Sequence, residues 1–136
     1  MIVEDSGGAA VAQLRYRPGW LLCAASLLLI CGVNLVIHGV TALHDPSFFG
    51  SQAIYHNLTF WGWFFIAWGA AEVAVGFLVS RGRREAMMAG TALAGVAMLA
   101  WFCMIFAAPQ SAFIGIAING LIIWALASAG GFELDA

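Results

Sequence analysis

A single carboxylate stands inside an otherwise apolar stretch of this sequence. Glu72 lies near the middle of FFIAWGAAEVAVGFLVS, residues 64–80, and no other charged residue occurs there. An apolar environment disfavours the charged form of a carboxyl group that has no cation beside it. The group is then either a neutral hydrogen-bonding partner for another helix or a proton or cation site that changes state. We expect the first role, because proton and cation carriers usually place several ionisable groups along a path.

Three of the other polar residues within the apolar stretches form a predicted intramembrane cluster with Glu72. Counted from the nearer cytoplasmic helix ends, Glu72 lies at a depth of about 12 Å, Thr91 at about 8 Å and Asn119 at about 15 Å. Asn34 lies further out, at about 21 Å. Polar residues in such places usually face the interior of a helix bundle. The sequence therefore predicts a hydrogen bond from Glu72 to Asn119 across a helix interface, with Thr91 as a further partner.

Glycines accompany these polar residues at helical spacing. Gly69 and Gly76 share a helical face with Glu72, Gly115 lies four residues before Asn119, and Gly90 belongs to a row of small residues. Small residues let membrane helices approach closely. We expect these four glycines to be helix-packing positions.

A second group of candidate chemical residues is formed by the histidines. His38, His44 and His56 are predicted to lie at the outer surface together with Asp45. Imidazole and carboxylate groups suit zinc or copper, but the spacings match no ligand motif. These four residues are the positions where a metal would bind, and we predict none there. No catalytic or cofactor-binding residue is predicted either, since nucleotide and nucleophile motifs are missing from the sequence.

The composition indicates which elements must position these residues. Of the 136 residues, 63% are hydrophobic and 9% are charged, whereas about 25% are charged in a soluble domain. A helix needs about 20 apolar residues to cross a bilayer. The apolar composition predicts the lipid bilayer as a partner. The five basic residues are too few to neutralise a nucleic-acid backbone, so no nucleic acid is predicted. Four stretches fit membrane spans: 20–40, 60–80, 86–107 and 112–130.

The positions of the basic residues predict the orientation. They fall before the first span and between the second and third: Arg15, Arg17, Arg81, Arg83 and Arg84. Because cytoplasmic loops carry the excess of Lys and Arg, both termini are predicted to be cytoplasmic. The fold class is then an all-α, up-down four-helix transmembrane bundle, which makes the chain a multi-pass membrane protein. Residues 19–130 form this bundle, with cytoplasmic tails at 1–18 and 131–136.

Three stretches resemble a small family of bacterial four-helix membrane proteins described only as a domain of unknown function. They are GVNLVIHGVTAL, TFWGWFFIAWG and QSAFIGIAINGLIIWAL, and the similarity covers about Gly19 to Leu126. The family usually reads T-W-G-W where this chain has Thr59-Phe60-Trp61-Gly62-Trp63. It often has Asp in place of Asn119, and it is mostly apolar at the position of Glu72. The resemblance implies the fold and carries no activity over to this chain.

The expected function follows from the placement of nearly all the mass in the bilayer. We expect a non-enzymatic integral membrane protein without a cofactor, acting as an accessory subunit or oligomerising component of a membrane complex. Its partners would be other membrane subunits or itself. The alternative is a small transporter or channel-like protein that uses Glu72 as a proton or cation site. A third hypothesis is a membrane enzyme with a metal site at the outer surface.

Overall fold

Four long helices make up most of the described part of the chain. The computed structural model describes residues 18–45, 47, 57–106 and 108–129. Each helix is long and apolar enough to cross a membrane, so the chain is a multi-pass membrane protein. The helices are α1, Pro18–His44; α2, Leu58–Ser80; α3, Arg84–Cys103; and α4, Pro109–Ser128.

The first two helices extend beyond the predicted spans. Helix α1 begins at Pro18, which was predicted to belong to the N-terminal tail, and ends at His44 rather than at residue 40. Helix α2 begins at Leu58, two residues early, because the Asn57 side chain caps it by accepting a hydrogen bond from the Phe60 backbone N–H at 3.2 Å. Residues 1–17 and 130–136, which include nearly all of both predicted tails, lie outside the described residues.

The last two helices also differ from the prediction at their ends. Helix α3 begins at Arg84 and ends at Cys103, short of the predicted residue 107. Helix α4 begins at Pro109 instead of residue 112, since proline lacks the backbone N–H that a first helical position leaves unused. Gly82, with φ of 73°, forms the turn between α2 and α3, a conformation that glycine adopts without strain.

Helices α1 and α2 touch backbone to backbone along a glycine seam. A Cβ atom on Gly32 would lie 2.6 Å from the carbonyl oxygen of Gly69, and one on Gly39 would lie 2.6 Å from that of Gly62. Only glycine permits such an approach. Because Gly32 meets Gly69 while the later Gly39 meets the earlier Gly62, the two helices run in opposite directions. We call these four residues, with Gly76, the glycine seam.

All four helices meet around Gly90 of α3. A Cβ atom there would lie 3.2 Å from both Leu126 of α4 and Leu28 of α1, and 3.4 Å from Val75 of α2. Leu28 and Leu126 are almost fully buried. The packing around this centre is uneven, because α1 contacts α2 and α3 contacts α4 much more extensively than α2 contacts α3. The bundle is therefore two tight helix pairs held together by a smaller common core.

Candidate functional site

Glu72 is buried where α1 and α3 adjoin α2. Only 3% of its surface is exposed. Its helical neighbours Gly69 and Gly76 contact α1, whereas Val75 lies beside Gly90 of α3. The glutamate thus faces protein rather than lipid.

One oxygen of Glu72 has a hydrogen-bond partner and the other does not. Oε1 accepts a hydrogen bond of 3.0 Å from the indole N–H of Trp68, one helical turn earlier. Oε2 is buried and has no partner within the described residues. A buried polar group without a partner costs about 1–3 kcal/mol, so such an atom calls for a structural or functional reason.

The predicted hydrogen bond from Glu72 to Asn119 is wrong. Asn119 is buried, but its side-chain amide donates to the carbonyl oxygen of Gly115 at 2.8 Å. The Thr91 hydroxyl likewise donates to the carbonyl of Met87 in its own helix, at 2.9 Å. Asparagine and threonine side chains compete for such carbonyls one turn earlier. Glu72, Thr91 and Asn119 were predicted to lie at similar depths, but they make no hydrogen bonds with one another.

Asn34, the remaining member of the predicted polar cluster, does not join the buried residues. It is exposed on α1. Its backbone carbonyl oxygen lies 2.8 Å from Nδ1 of His38. The structure thus brings neither Asn34 nor Thr91 into hydrogen-bonding contact with Glu72.

Glu72 continues a stripe of aromatic side chains on α2. Trp61, Phe65, Trp68 and Glu72 are spaced by four, three and four residues, which places them on one helical face. The three aromatic residues line a cavity of about 370 Å³ between the start of α2 and the end of α3. Glu72 lies one turn beyond the cavity, behind Trp68. The full lining is Leu35, Trp61, Phe64, Phe65, Trp68, Val96, Ala97, Ala100, Trp101, Cys103 and Met104.

Both indole walls of this cavity are held in position. The ring of Trp68 is fixed by its hydrogen bond to Glu72. The ring of Trp101 packs on the backbone of Gly115, where a Cβ atom would lie 2.5 Å from Cε2 of the indole. The sequence favoured ordinary packing for Trp68 and Trp101 over contact with a quinone or lipid tail, and it did not predict that they line a common cavity. Two features of the sequence could have indicated how these rings are held. Trp68 and Glu72 are four residues apart, which lets their side chains meet on one helical face, and Gly115 leaves room for a ring because glycine has no side chain.

The predicted outer histidines do not form a cluster in the described part of the chain. No group of three or more potential metal ligands comes together there. His38 is engaged with the Asn34 carbonyl. His44 is the last residue of α1, and a carboxylate oxygen of Asp45 accepts a hydrogen bond of 3.1 Å from the Ser47 backbone. His56 lies outside the described residues.

A family model matches most of the chain. A family described as "Domain of unknown function (DUF7144)" matches residues 20–131, which include nearly all of the four helices. No curated protein and no solved structure matches the chain. The resemblance seen in the three sequence stretches is thereby confirmed. The chain belongs to the DUF7144 family.

Proposed function

We propose that this protein is a non-enzymatic component of a bacterial cytoplasmic membrane that associates with other transmembrane helices. It would serve as an accessory subunit of a membrane complex or assemble with copies of itself. The proposed arrangement is an up-down bundle with both termini cytoplasmic. The five arginines support it because all of them lie before the first span or between the second and third spans, which are the segments predicted to be cytoplasmic.

The observation that carries this proposal is the outward face of α2. Four exposed alanines follow one another there at helical spacing: Ala67, Ala70, Ala71 and Ala74. The glycine seam already packs α2 against α1, so these alanines are a second small-residue surface on the same helix. We call them the alanine face. Exposed Trp63 and Phe77 lie at its two ends.

Small residues on an exposed membrane helix favour association with another helix. The hydrophobic effect does not drive helices together in lipid, so close van der Waals packing has to supply the attraction. A face of alanines lets a partner backbone approach, and the aromatic side chains at each end provide contact area around it. A single helix with one small-residue face towards α1 and another towards the outside is suited to join its own bundle to a partner.

The test is purification of the tagged protein from its native membrane in a mild detergent. We expect a stoichiometric partner subunit or a defined oligomer. The paired change Ala70→Leu and Ala74→Leu should remove that partner, whereas Ala89→Leu with Ala92→Leu, on the exposed side of α3, should retain it. A monomer without partners would refute the proposal, and equal loss from both pairs would refute the assignment to the alanine face.

A second candidate function, transport with Glu72 as an ionisable site, is favoured by the carboxylate oxygen that has no partner. A cation bound there would supply the missing interaction, and a proton would remove the negative charge. Reconstituted vesicles with an imposed pH gradient test it directly. Proton flux that is present in the original protein and lost in Glu72→Gln would establish transport, and flux equal to that of empty vesicles would reject it.

A further inference from the structure

We propose that the connection between α2 and α3 binds the phosphate of an anionic phospholipid headgroup through Arg81, Arg83 and Arg84. We call these three residues the arginine turn. Their positive charge supports the predicted orientation, and lipid binding is a further role that depends on the guanidinium groups themselves. The inference does not rest on the helix association proposed above, because none of the three arginines belongs to the alanine face.

The arginine turn concentrates positive charge at one end of the bundle. It holds three of the five basic residues of the chain within four positions, and all three are exposed. Because α2 ends at Ser80 and α3 begins at Arg84, the arginines come directly between two apolar spans. The headgroup region of a bilayer lies at this level, next to its hydrocarbon core. The carboxylate of Glu85, in the first turn of α3, leaves the segment with a net charge of +2.

Backbone hydrogen bonds hold the arginine turn against the last turn of α2. The N–H groups of Arg81 and Arg83 both donate to the carbonyl oxygen of Leu78, at 3.2 and 3.4 Å. The N–H of Gly82 donates to the carbonyl oxygen of Val79 at 2.8 Å. The guanidinium groups are therefore carried by a short backbone segment of defined shape. Such a segment lowers the ordering cost when several side chains bind one ligand.

The side chain of Arg81 lies along the part of α2 that faces lipid. Its guanidinium carbon is 4.4 Å from the centre of the Phe77 ring, and Phe77 is exposed one turn further into the span. Arg84 stands four residues before Met88, which is also exposed, and residues at this spacing share a helical face. Two of the arginines are thus placed beside lipid-facing side chains. A phosphate at the membrane surface can meet them there, and a lipid headgroup carries such a phosphate.

The chemistry of arginine matches a phosphate diester. The planar guanidinium group can form two parallel hydrogen bonds to two phosphate oxygens, and it can stack on an aromatic ring. Lysine carries the same charge without this planar arrangement of donors. A zwitterionic headgroup adds an ammonium group, which the net positive charge of the segment repels. An anionic phospholipid is therefore favoured over a zwitterionic one.

The experiment uses native mass spectrometry to measure which lipid stays bound to the purified protein. The protein is released from mixed micelles that contain equal amounts of dioleoylphosphatidylglycerol and dioleoylphosphatidylcholine, which share their acyl chains and differ in headgroup charge. We expect the anionic lipid to be retained about tenfold more often, because basic residues at a membrane surface attract anionic lipid. Inorganic phosphate in large excess should not displace it.

Three variants test the role of the guanidinium groups. The combined change Arg81→Lys, Arg83→Lys and Arg84→Lys keeps the charge and the orientation and should lower the preference about fivefold. Phe77→Leu removes the ring that holds Arg81 and should lower it as well. Phe102→Leu is the matched control, because Phe102 is an exposed phenylalanine near the opposite end of α3. Phe77 also borders the alanine face, so retention is compared between complexes with the same number of chains.

Three results would overturn the proposal. One is equal retention of the two lipids by the original protein. Another is a preference that the lysine variant keeps in full, which would mean that positive charge alone attracts the lipid. The third is displacement of the lipid by inorganic phosphate, which would assign the arginine turn to a free anion. If the lysine variant does not fold, the comparison of Phe77→Leu with Phe102→Leu decides, and an equal preference in these two variants refutes the proposal.

Discussion

Adding one methyl group at Gly69 should push α1 and α2 apart. A Cβ atom at this position would lie 2.5 Å from the carbonyl oxygen of Gly32 and 2.9 Å from the side chain of Val36. The Gly32 contact is a backbone atom, so it cannot rotate away as a flexible side chain can. Restoring an ordinary contact requires the helices to separate by about 1 Å. Overpacking of this kind costs about 1–3 kcal/mol.

The assay is the unfolding free energy of Gly69→Ala in mild detergent, followed by tryptophan fluorescence. Gly120→Ala is the matched control, since a Cβ atom at Gly120 on α4 would have nothing within 4 Å. Alanine is about 1 kcal/mol more favourable than glycine inside a helix, so this control should be neutral or stabilising. If Gly69→Ala is as stable as Gly120→Ala, the glycine seam does not bring the two backbones together as described.

The remaining predictions concern topology and the aromatic cavity. In a background without native cysteines, Ser47→Cys should react with an impermeant thiol reagent added outside the cell and Ser80→Cys should not; the reverse pattern would overturn the orientation inferred from the arginines. Glu72→Ala should lower the unfolding free energy by about 1–3 kcal/mol, because an indole N–H loses its acceptor, and an unchanged value would refute that bond. Gly115→Ala should displace the indole packed on it and lower the unfolding free energy by about 1–3 kcal/mol, whereas an unchanged value would show that the indole does not pack on this glycine.

The sequence predicted the existence of the helices better than the contacts between them. Hydropathy indicates which segments are apolar enough to lie in lipid, so each of the four predicted spans corresponds to a helix of the structure. The observed helices differ from the predicted spans only in where they begin and end. Proline and cap chemistry decided those ends: Pro109 begins α4 and Asn57 caps α2. The extension of α1 to His44 lies beyond its most apolar residues, where hydropathy alone gives no boundary.

The candidate site was predicted only in part because depth along a helix does not give direction around it. Glu72 and Asn119 are both buried, yet each makes its side-chain hydrogen bond within its own helix. The residues on the same helical face as Gly32 are all apolar, so the sequence did not mark it. Its contact with Gly69 follows from how the two helices pair. The cavity is lined by residues of α1, α2 and α3, so it is a property of the assembled bundle that no single segment contains.

The seven-residue spacing of the seam glycines bears on the order in which the protein is assembled. Gly62, Gly69 and Gly76 on α2, like Gly32 and Gly39 on α1, recur at two helical turns. This interval keeps two helices in contact along their length at a shallow crossing angle of about 20°. We infer that α1 and α2 form a stable hairpin during biosynthesis, before α3 has left the ribosome. Cross-linking of cysteines placed on the two helices should then succeed in a chain that stops at Ser80, and its failure would mean that α3 and α4 must be present for the pair to form.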